Sequence, residues 1–300
     1  MAKDRSVKES RTWRLQGFRG RLSFRQPGRL VSIIVINLFL FSLLICNVYP
    51  LVWQLFTSLR TNPDLFANPW GLPSSPTFDN YIKVWKTSPL PTYFLNSFVV
   101  SLSSVILILL LSSMAAYGFA KLSFPGSTPL LLLLLSLYFI PAHIALIPLF
   151  VMLKALKVID TPLALIIPYT AFAIPFSTIL IRGFILSIPR DLIDAALIDG
   201  CSKISIFFLL ILPLIRPILA VNFIFQFVNC WNEYLFALVF LHSREAKTLP
   251  VGLLDLVAEF HTDWVAMAAG LTMATIPVII LYIIFHEQII TGMTAGAIKG

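Results

Sequence analysis

Residues 190–217 read "RDLIDAALIDGCSKISIFFLLILPLIRP", a short polar stretch that leads directly into a long apolar one. Asp191 and Asp194 suit the positive N-terminal end of a helix. Gly200 suits the left-handed conformation in which many helices end. The pattern therefore predicts a short surface helix over residues 190–199, set inside a chain that is otherwise strongly apolar.

One face of this helix combines small apolar groups with a carboxylate, because four residues recur at i, i+3, i+4 and i+7. They are Leu192, Ala195, Ala196 and Asp199. Small side chains allow another surface to approach closely. Ser202 is expected to cap a second helical segment that continues into the apolar run, which would fix the short helix rigidly to that run. The alternative is an amphipathic helix on lipid headgroups, but such helices are typically rich in lysine and arginine, and this one has three aspartates and one arginine.

The composition is that of an integral membrane protein. Of 300 residues, 58% are hydrophobic and 12% are charged, whereas soluble domains carry roughly 25% charged residues. The net charge of +8 does not indicate a nucleic-acid partner, because nine of the 22 basic residues precede Leu30 and form a cluster that flanks the first apolar segment. The lipid bilayer is the partner that this composition predicts.

Six segments are long enough to cross a bilayer, which takes about 20 mainly apolar residues. The sequence thus predicts an all-α membrane protein with six transmembrane helices. The segments cover residues 31–56, 93–122, 129–153, 163–186, 207–241 and 264–290. The first is too long for a signal-peptide core of about 7 to 15 residues and is expected to remain as an anchor. The fifth contains Pro213 and Pro217 and is expected to begin with a tilted or kinked part.

Six spans place both termini on one side of the membrane. Fifteen basic residues fall on that side and seven on the other, so the positive-inside rule predicts cytoplasmic termini and a cytoplasmic short helix between spans four and five. On the outer side, residues 57–92 contain six prolines and several aromatic residues. This composition favours a semi-rigid folded cap, with an inert connector as the alternative.

Motifs for catalysis, metal binding and nucleotide binding are missing from the sequence. "HEQII" at residues 286–290 lacks the second histidine of H-E-x-x-H, the other three histidines are scattered, and the three cysteines form no CxxC pair. No glycine is followed by lysine, so the phosphate-binding motif G-x-x-x-x-G-K-[ST] does not occur. No catalytic residue and no metal ligand is predicted.

The stretch 188–217 resembles the cytoplasmic EAA loop of permease subunits in bacterial ABC importers. That pattern runs Glu-Ala-Ala, three residues, Gly, nine residues, Ile, any residue, Leu, Pro. Here the positions are Asp194, Ala195, Ala196, Gly200, Leu210 or Ile211, Leu212 and Pro213. Asp194 stands in place of the usual glutamate, and Cys201 stands where alanine is common.

Further segments are similar to the carbohydrate-uptake branch of this family, and the resemblance covers about residues 93–300. They are "WNEYLFALVF" from Trp231, "KTLPVGL" from Lys247, "DW" from Asp263 and the tail "TGMTAGAIKG" from Thr291. The tail is similar to that of the second permease of the maltose-type heterodimer.

The resemblance implies a division of labour among subunits. The short helix would be a coupling helix seated in a groove of a cytoplasmic ATPase, through Asp191, Asp194, Ala195, Ala196, Asp199 and Gly200. The tail would reach the same ATPase through Ala295, Gly296, Lys299 and Gly300. The implied partners are a second permease, two ATPase subunits, an extracytoplasmic solute-binding protein and a sugar. ATP and Mg²⁺ would be bound by the ATPase subunits, with no cofactor on this chain.

The resemblance implies a protein of the cytoplasmic (inner) membrane of a bacterium or archaeon, with the chain divided into three parts. Residues 1–30 are a basic cytoplasmic segment. Residues 31–290 are a six-span permease domain with its coupling loop at 187–212. Residues 291–300 are a cytoplasmic tail.

"NCWNEY" at residues 229–234 places amide, aromatic and carboxylate groups close together in the outer half of the fifth span. Such groups bind sugar hydroxyls and ring faces. The candidate pore or substrate residues are Asn229, Trp231, Asn232 and Glu233. As alternatives, Asn232 and Glu233 bond to a partner helix or face water near the interface.

The solute is not identified by the sequence, and other transport functions remain open. An ion-coupled secondary transporter would place ionisable residues at depth, for which Glu233 and His143 are the candidates. An importer permease for a non-sugar solute, such as a glycerol phosphate ester, is a further alternative.

Overall fold

The computed structural model describes residues 27–260 and 263–297. Helices dominate these residues, and no strand occurs within them. The helices are α1 (Pro27–Ser58), α2 (Asn62–Ala67), α3 (Asp79–Thr87), α4 (Leu90–Lys121), α5 (Ser127–Tyr138), α6 (Leu146–Ala155), α7 (Leu163–Leu186), α8 (Arg190–Ile198), α9 (Lys203–Leu214), α10 (Arg216–Asn232), α11 (Leu235–Phe240), α12 (Leu249–Glu259) and α13 (Trp264–Ala297).

Four of these helices, α1, α4, α7 and α13, are singly long and apolar enough to cross a membrane. Two bent pairs also qualify, which gives six spans and agrees with the prediction when each pair is one span. The first pair joins α5 to the segment Ala142–Ala155 at 87°, and the second joins α9 to α10 at 76°.

The third span, predicted over 129–153, is present as a bent pair of helices and not as one straight helix. Pro141 adopts an extended conformation with φ −61° and ψ 121°, and its nitrogen has no hydrogen to donate to the preceding turn. The helix therefore stops at Tyr138, and a short 3₁₀ turn at Ala142–Ala145 leads into α6.

The fifth span is kinked near its start, as the prolines predicted. The helix α9 contains a π-helical turn at Phe207–Ile211, and the chain bends at Ile215, whose φ and ψ are −89° and 5°. Pro217 lies in the first turn of α10, where a missing N–H costs nothing. The span does not run unbroken to residue 241, because α10 ends at Asn232 and α11 begins at Leu235.

The chain divides into two units, residues up to Trp53 and residues from Gln54 onward. In the first unit, Asn37 and Asn47 each donate a side-chain hydrogen bond to the carbonyl four residues earlier in α1. These bonds satisfy the amide groups within the helix itself, which suits a helix in an apolar medium.

The second unit is built around α4 and α7, its most extensive helix pair. Serines at positions 97, 101, 104, 112 and 113 of α4 are all buried. Small side chains let membrane helices pack closely. The helix α10 packs on both α4 and α13, so these four helices form the body of the unit.

Residues 57–92 form a folded cap at the end of the bundle where α4 begins, as predicted. The Arg60 side chain is 1% exposed, and its Nη1 donates to the Asn68 carbonyl at 2.8 Å. Asn80 Nδ2 donates to the carbonyls of Ser58 and Arg60 at 2.8 and 2.7 Å. Buried backbone groups are thereby satisfied by side chains, which gives the segment a defined conformation.

Candidate functional site

The predicted short helix is present as α8, between the fourth span and the bent fifth span. It follows Pro189 and ends at Ile198, with Asp199 at its C-terminal boundary. Gly200 has φ +80°, and the Cys201 amide donates to the Ala196 carbonyl at 3.0 Å. Glycine adopts this left-handed conformation without the steric penalty of a Cβ atom, so the residue expected to end the helix does so.

The surface of α8 is largely open. Ile193 alone among its residues is buried, at 8% exposure, and it packs in a core cluster with α4, α7 and α9. The predicted docking residues Asp191, Asp194, Ala195, Asp199 and Gly200 are exposed, and Ala196 is partly buried. Ile198 is 86% exposed. The helix is thus anchored by one side chain and presents a mixed carboxylate, alanine and aliphatic surface.

Both flanks of α8 are tied to the last turns of α4. On one side, Lys121 Nζ donates to the Ile188 carbonyl at 2.5 Å. On the other, the Tyr117 hydroxyl donates to the Lys203 carbonyl at 3.3 Å, and its ring lies 5.7 Å from that of Phe207. The two bonds join the end of α4 to the chain on both sides of α8.

The start of α9 is capped as predicted. Ser202 Oγ accepts a hydrogen bond from the Ser205 amide at 3.1 Å, which satisfies one of the free N–H groups at a helix N-terminus. Sequence reasoning missed Tyr117 and Lys121. Lys121 lies at the end of an apolar segment like other basic residues, and nothing in its local sequence distinguishes a side chain that binds a carbonyl from one that faces water.

The break between α10 and α11 is held together by Glu233. Its carboxylate accepts three hydrogen bonds, from the Tyr169 hydroxyl at 2.5 Å and from the amides of Phe236 and Ala237 at 2.8 and 3.2 Å. Two of these bonds cap α11 and the third reaches α7. Tyr169 was also missed by sequence reasoning, because it lies 64 residues away in the chain.

A cavity of about 390 Å³ lies beside this break. Its walls come from the 3₁₀ turn, α7, α10, α11 and the break itself. The lining residues are Ala142, His143, Pro168, Tyr169, Phe172, Ala173, Gln226, Asn229, Cys230, Glu233 and Phe236. Aromatic rings and polar groups are therefore combined in one cavity.

The structure separates the four candidate pore residues. Asn229 and Glu233 line the cavity. Trp231 is 2% exposed; its indole nitrogen donates to the Ala274 carbonyl at 3.3 Å, and its ring stacks on Phe227. Asn232 is exposed and is not among the cavity residues. The burial of Trp231 gives no support to its predicted place in the pore, and a pore role for the others stays a prediction.

Between the cavity and the α8 end of the unit, buried polar groups join α7 to α10. Ser177 donates to Asn222 Oδ1 at 3.2 Å, and Gln226 Nε2 donates to Ser177 Oγ at 3.1 Å. All three side chains are at most 4% exposed. Gln226 therefore reaches the cavity wall while its amide nitrogen is engaged in helix packing.

At the end of the unit opposite α8, carboxylates organise the loops. Asp160 accepts hydrogen bonds from the amides of His242 and Ser243 at 2.8 and 2.9 Å. Burial raises the pKa of Asp160, but the bonds from the Ser243 and His242 amides outweigh burial, so the pKa lies below the usual 3.8. The loop before α7 is thus clipped to the loop after α11.

The "KTLPVGL" and "DW" segments belong to the same layer. Lys247 Nζ lies 2.9 Å from both carboxylate oxygens of Asp255, which also accepts from the Tyr93 hydroxyl at 2.7 Å. Asp263 accepts from Lys83 at 2.5 Å and from Asn62 at 2.9 Å, which joins the cap to the start of α13.

The last features to place are metal ligands, the C-terminal tail and the basic N-terminal segment. Among the side chains described, those of residues 31–260 and 263–287, no cluster of three or more histidine, cysteine, aspartate or glutamate residues could hold a metal ion. Ala295 and Gly296 belong to the last turns of α13. Lys299, Gly300 and most of the basic segment 1–30 lie outside the described residues.

Comparison with known proteins identifies the family. Residues 108–294 match the family described as "Binding-protein-dependent transport system inner membrane component". The sulfoquinovosyl glycerol transport system permease protein SmoH of Agrobacterium fabrum is 39% identical over 86% of this chain and 91% of its own length. The arabinooligosaccharides transport system permease protein AraQ of Halalkalibacterium halodurans is 38% identical over 84% of this chain and 91% of its own.

A solved structure supports the same fold. A chain of a bacterial ABC transporter involved in the import of the acidic polysaccharide alginate aligns with a TM-score of 0.77, at 23% identity, over 88% of this chain and 98% of that one. With the EAA-like α8 between the fourth and fifth spans and relatives matched over most of their length, the chain belongs to the inner membrane components of binding-protein-dependent transport systems, the permease subunits of ABC importers.

Proposed function

We propose that this permease carries a sugar or oligosaccharide and forms half of the pathway, with a second permease as the other half. The observation that carries the proposal is the likeness to permeases named for oligosaccharide transport, including AraQ and the melibiose/raffinose/stachyose import permease MelC of Bacillus subtilis, 31% identical over 92% of this chain. The cavity supports it, because its aromatic and amide groups suit a polyhydroxylated solute.

We further propose that α8 is the coupling helix and that a cytoplasmic ATPase binds its exposed surface. The support is geometric: α8 is held by Lys121 at one flank and Tyr117 at the other, so a displacement of α8 is passed to α4 and α9 together. Spans would then alternate between inward- and outward-facing states as the ATPase closes. The excess of basic residues on the same side as α8 supports cytoplasmic termini.

In this assembly ATP and Mg²⁺ belong to two ATPase subunits, and an extracytoplasmic binding protein delivers the solute to the opposite end. The cap, the loop clipped by Asp160 and the Lys247–Asp255 layer form that end. The family supports this proposal, and the sequence is compatible with it because it contains no G-x-x-x-x-G-K-[ST] motif.

The test is reconstitution. Vesicles that contain this chain alone should neither hydrolyse ATP nor accumulate labelled raffinose, arabinotriose or diacetylchitobiose, with or without a proton or sodium gradient. Vesicles with both permeases, the ATPase and the binding protein should accumulate one of these sugars only when ATP is present. Accumulation driven by an ion gradient without ATP would contradict the proposal and favour a secondary transporter. If the complex imports a glycerol phosphate ester with ATP and imports no sugar, the assignment as an ABC importer is supported, but the proposal that its solute is a sugar is wrong.

A further inference from the structure

The cavity beside the α10–α11 break has the form of a binding site within a single chain. It measures about 390 Å³, within the range of about 300 to 1,000 Å³ typical of small-molecule sites. We propose that this chain itself binds one ring of the transported sugar there, against Phe172, with Asn229 and His143 as the hydrogen-bonding groups. The proposal rests on the proposed sugar transport and adds the site and the residues.

The aromatic wall of the cavity is formed by Phe172, whose ring is held in position by its neighbours. Phe172 is partly exposed, and its ring stacks on that of Phe236 with 6.0 Å between centres and 22° between planes. Phe236 is 4% exposed and also packs on Tyr169 and Phe240. Phe172 is therefore supported from behind, and its accessible surface can cover the C–H face of a sugar ring.

Two polar side chains of the lining are exposed. The Asn229 amide and the His143 imidazole each offer a donor and an acceptor. A sugar hydroxyl donates and accepts at once, so these groups match it in either direction. His143 is oriented by an edge contact to Phe236, with ring centres 5.7 Å apart, so one aromatic residue positions both the platform and a hydrogen-bonding group.

The remaining polar groups of the lining are already engaged in hydrogen bonds within the protein. The Glu233 carboxylate already accepts three hydrogen bonds, and the Gln226 amide nitrogen is bound to Ser177. Among the described residues that line the cavity, none is a lysine or an arginine, and Glu233 contributes a carboxylate. The site therefore favours an uncharged ring over an anionic one.

The depth of the cavity suits a solute in transit. Phe172 lies nine residues into α7, which at 1.5 Å per residue is about 14 Å from the start of that helix. The span is 24 residues long, so the site is close to its middle. A solute bound there has left the outer loops and has not reached α8.

The experiment uses the complete transporter, with cysteine-free partner subunits, in lipid nanodiscs. Cys46→Ser, Cys201→Ser and Cys230→Ser remove the native thiols, and Ala173→Cys, in the cavity lining, serves as the reporter. The rate of its modification by N-ethylmaleimide is measured against raffinose, arabinotriose and diacetylchitobiose. Ala142→Cys, in the same thiol-free background, is a second reporter in the same lining.

The sugar that the complex imports should slow modification at both positions. Phe172→Ala and Asn229→Ala should each raise the half-maximal protecting concentration about fivefold. Phe176→Ala is the matched control, one turn further along α7, where the ring stacks on Tyr138 and does not line the cavity. Its protecting concentration should equal that of the unmodified chain.

The outcomes distinguish a failure of the proposed binding site from a failure of the proposed sugar transport. If the complex imports one of the sugars and that sugar protects neither reporter, the site is wrong and sugar transport stands. Protection that survives both Phe172→Ala and Asn229→Ala also overturns the site. If the complex imports none of the three sugars, the proposed function fails and the site falls with it.

Discussion

The Tyr169 hydroxyl donates a 2.5 Å hydrogen bond to Glu233, which links the first third of α7, the fourth span, to the break in the fifth. The same carboxylate caps α11 through two backbone amides. A residue that the sequence marks as a pore candidate therefore holds two helices together, and this relationship can be tested apart from transport.

We predict that Glu233→Gln lowers the thermal stability of the purified complex. The glutamine amide has one acceptor oxygen in place of two, so at least one of three donors loses its partner, at about 1.5 to 3 kcal/mol for a bond to a charged group. The midpoint of thermal unfolding is measured by the loss of the monodisperse size-exclusion peak.

Tyr169→Phe removes only one of the three bonds and should lower that midpoint by less. Asn232→Ala changes an exposed residue of the same helix end and should leave it unchanged. Equal midpoints for Glu233→Gln and the unmodified complex would contradict the prediction.

We predict that Gly200→Trp disconnects ATP hydrolysis from solute uptake. A side chain at φ +80° costs about 1 kcal/mol or more, and the indole would stand on the surface proposed to meet the ATPase. In vesicles with the full complex, uptake should be lost, and hydrolysis should no longer respond to the loaded binding protein.

Gly126→Trp is the matched control, because Gly126 also has a left-handed φ, +82°, and a Cβ atom at either glycine would meet nothing within 4 Å. It lies in the turn before α5 and is not part of α8 or its caps, so coupling should persist. Normal stimulated hydrolysis with normal uptake in Gly200→Trp would show that α8 is not the coupling element.

We predict that Lys121→Met raises the number of ATP molecules hydrolysed per solute imported. The substitution keeps an apolar stem but removes the donor to the Ile188 carbonyl, which frees one flank of α8 from α4. Lys121→Arg should restore the ratio, since the guanidinium can donate to the same carbonyl. Lys154→Met, at an exposed lysine of α6, should not alter it. An unchanged ratio in Lys121→Met would mean that this bond does not transmit motion.

We predict an acid-sensitive contribution from Asp160 at the end opposite α8. Its folded-state pKa lies below the usual 3.8, so its stabilising effect is complete above that value and is lost as the pH falls through the lower, folded pKa. Thermal midpoints from about pH 7 down to about pH 3 should fall more steeply for the unmodified complex than for Asp160→Asn, which has no carboxylate to protonate at this position. Parallel curves would contradict the prediction.

Much of the architecture follows from local sequence. Apolar length gave the spans, because a bilayer admits only segments that satisfy their own backbone hydrogen bonds. The short helix α8, its left-handed Gly200 and the Ser202 cap were also predictable, since helix ends depend on the residues within a turn of them. Pro213 and Pro217 predicted the kink in the fifth span, because a proline affects the backbone within one turn of itself.

The fate of the "NCWNEY" side chains was decided only by tertiary structure. Asn229 and Trp231 are two residues apart, yet one lines the cavity and the other is buried against α13. Which direction each faces depends on how α10 is rotated against α4, α7 and α13, and on the break that Tyr169 supports from 64 residues away. Local sequence lists the groups that the fifth span offers, but only contacts between distant helices determine which of them reach the cavity.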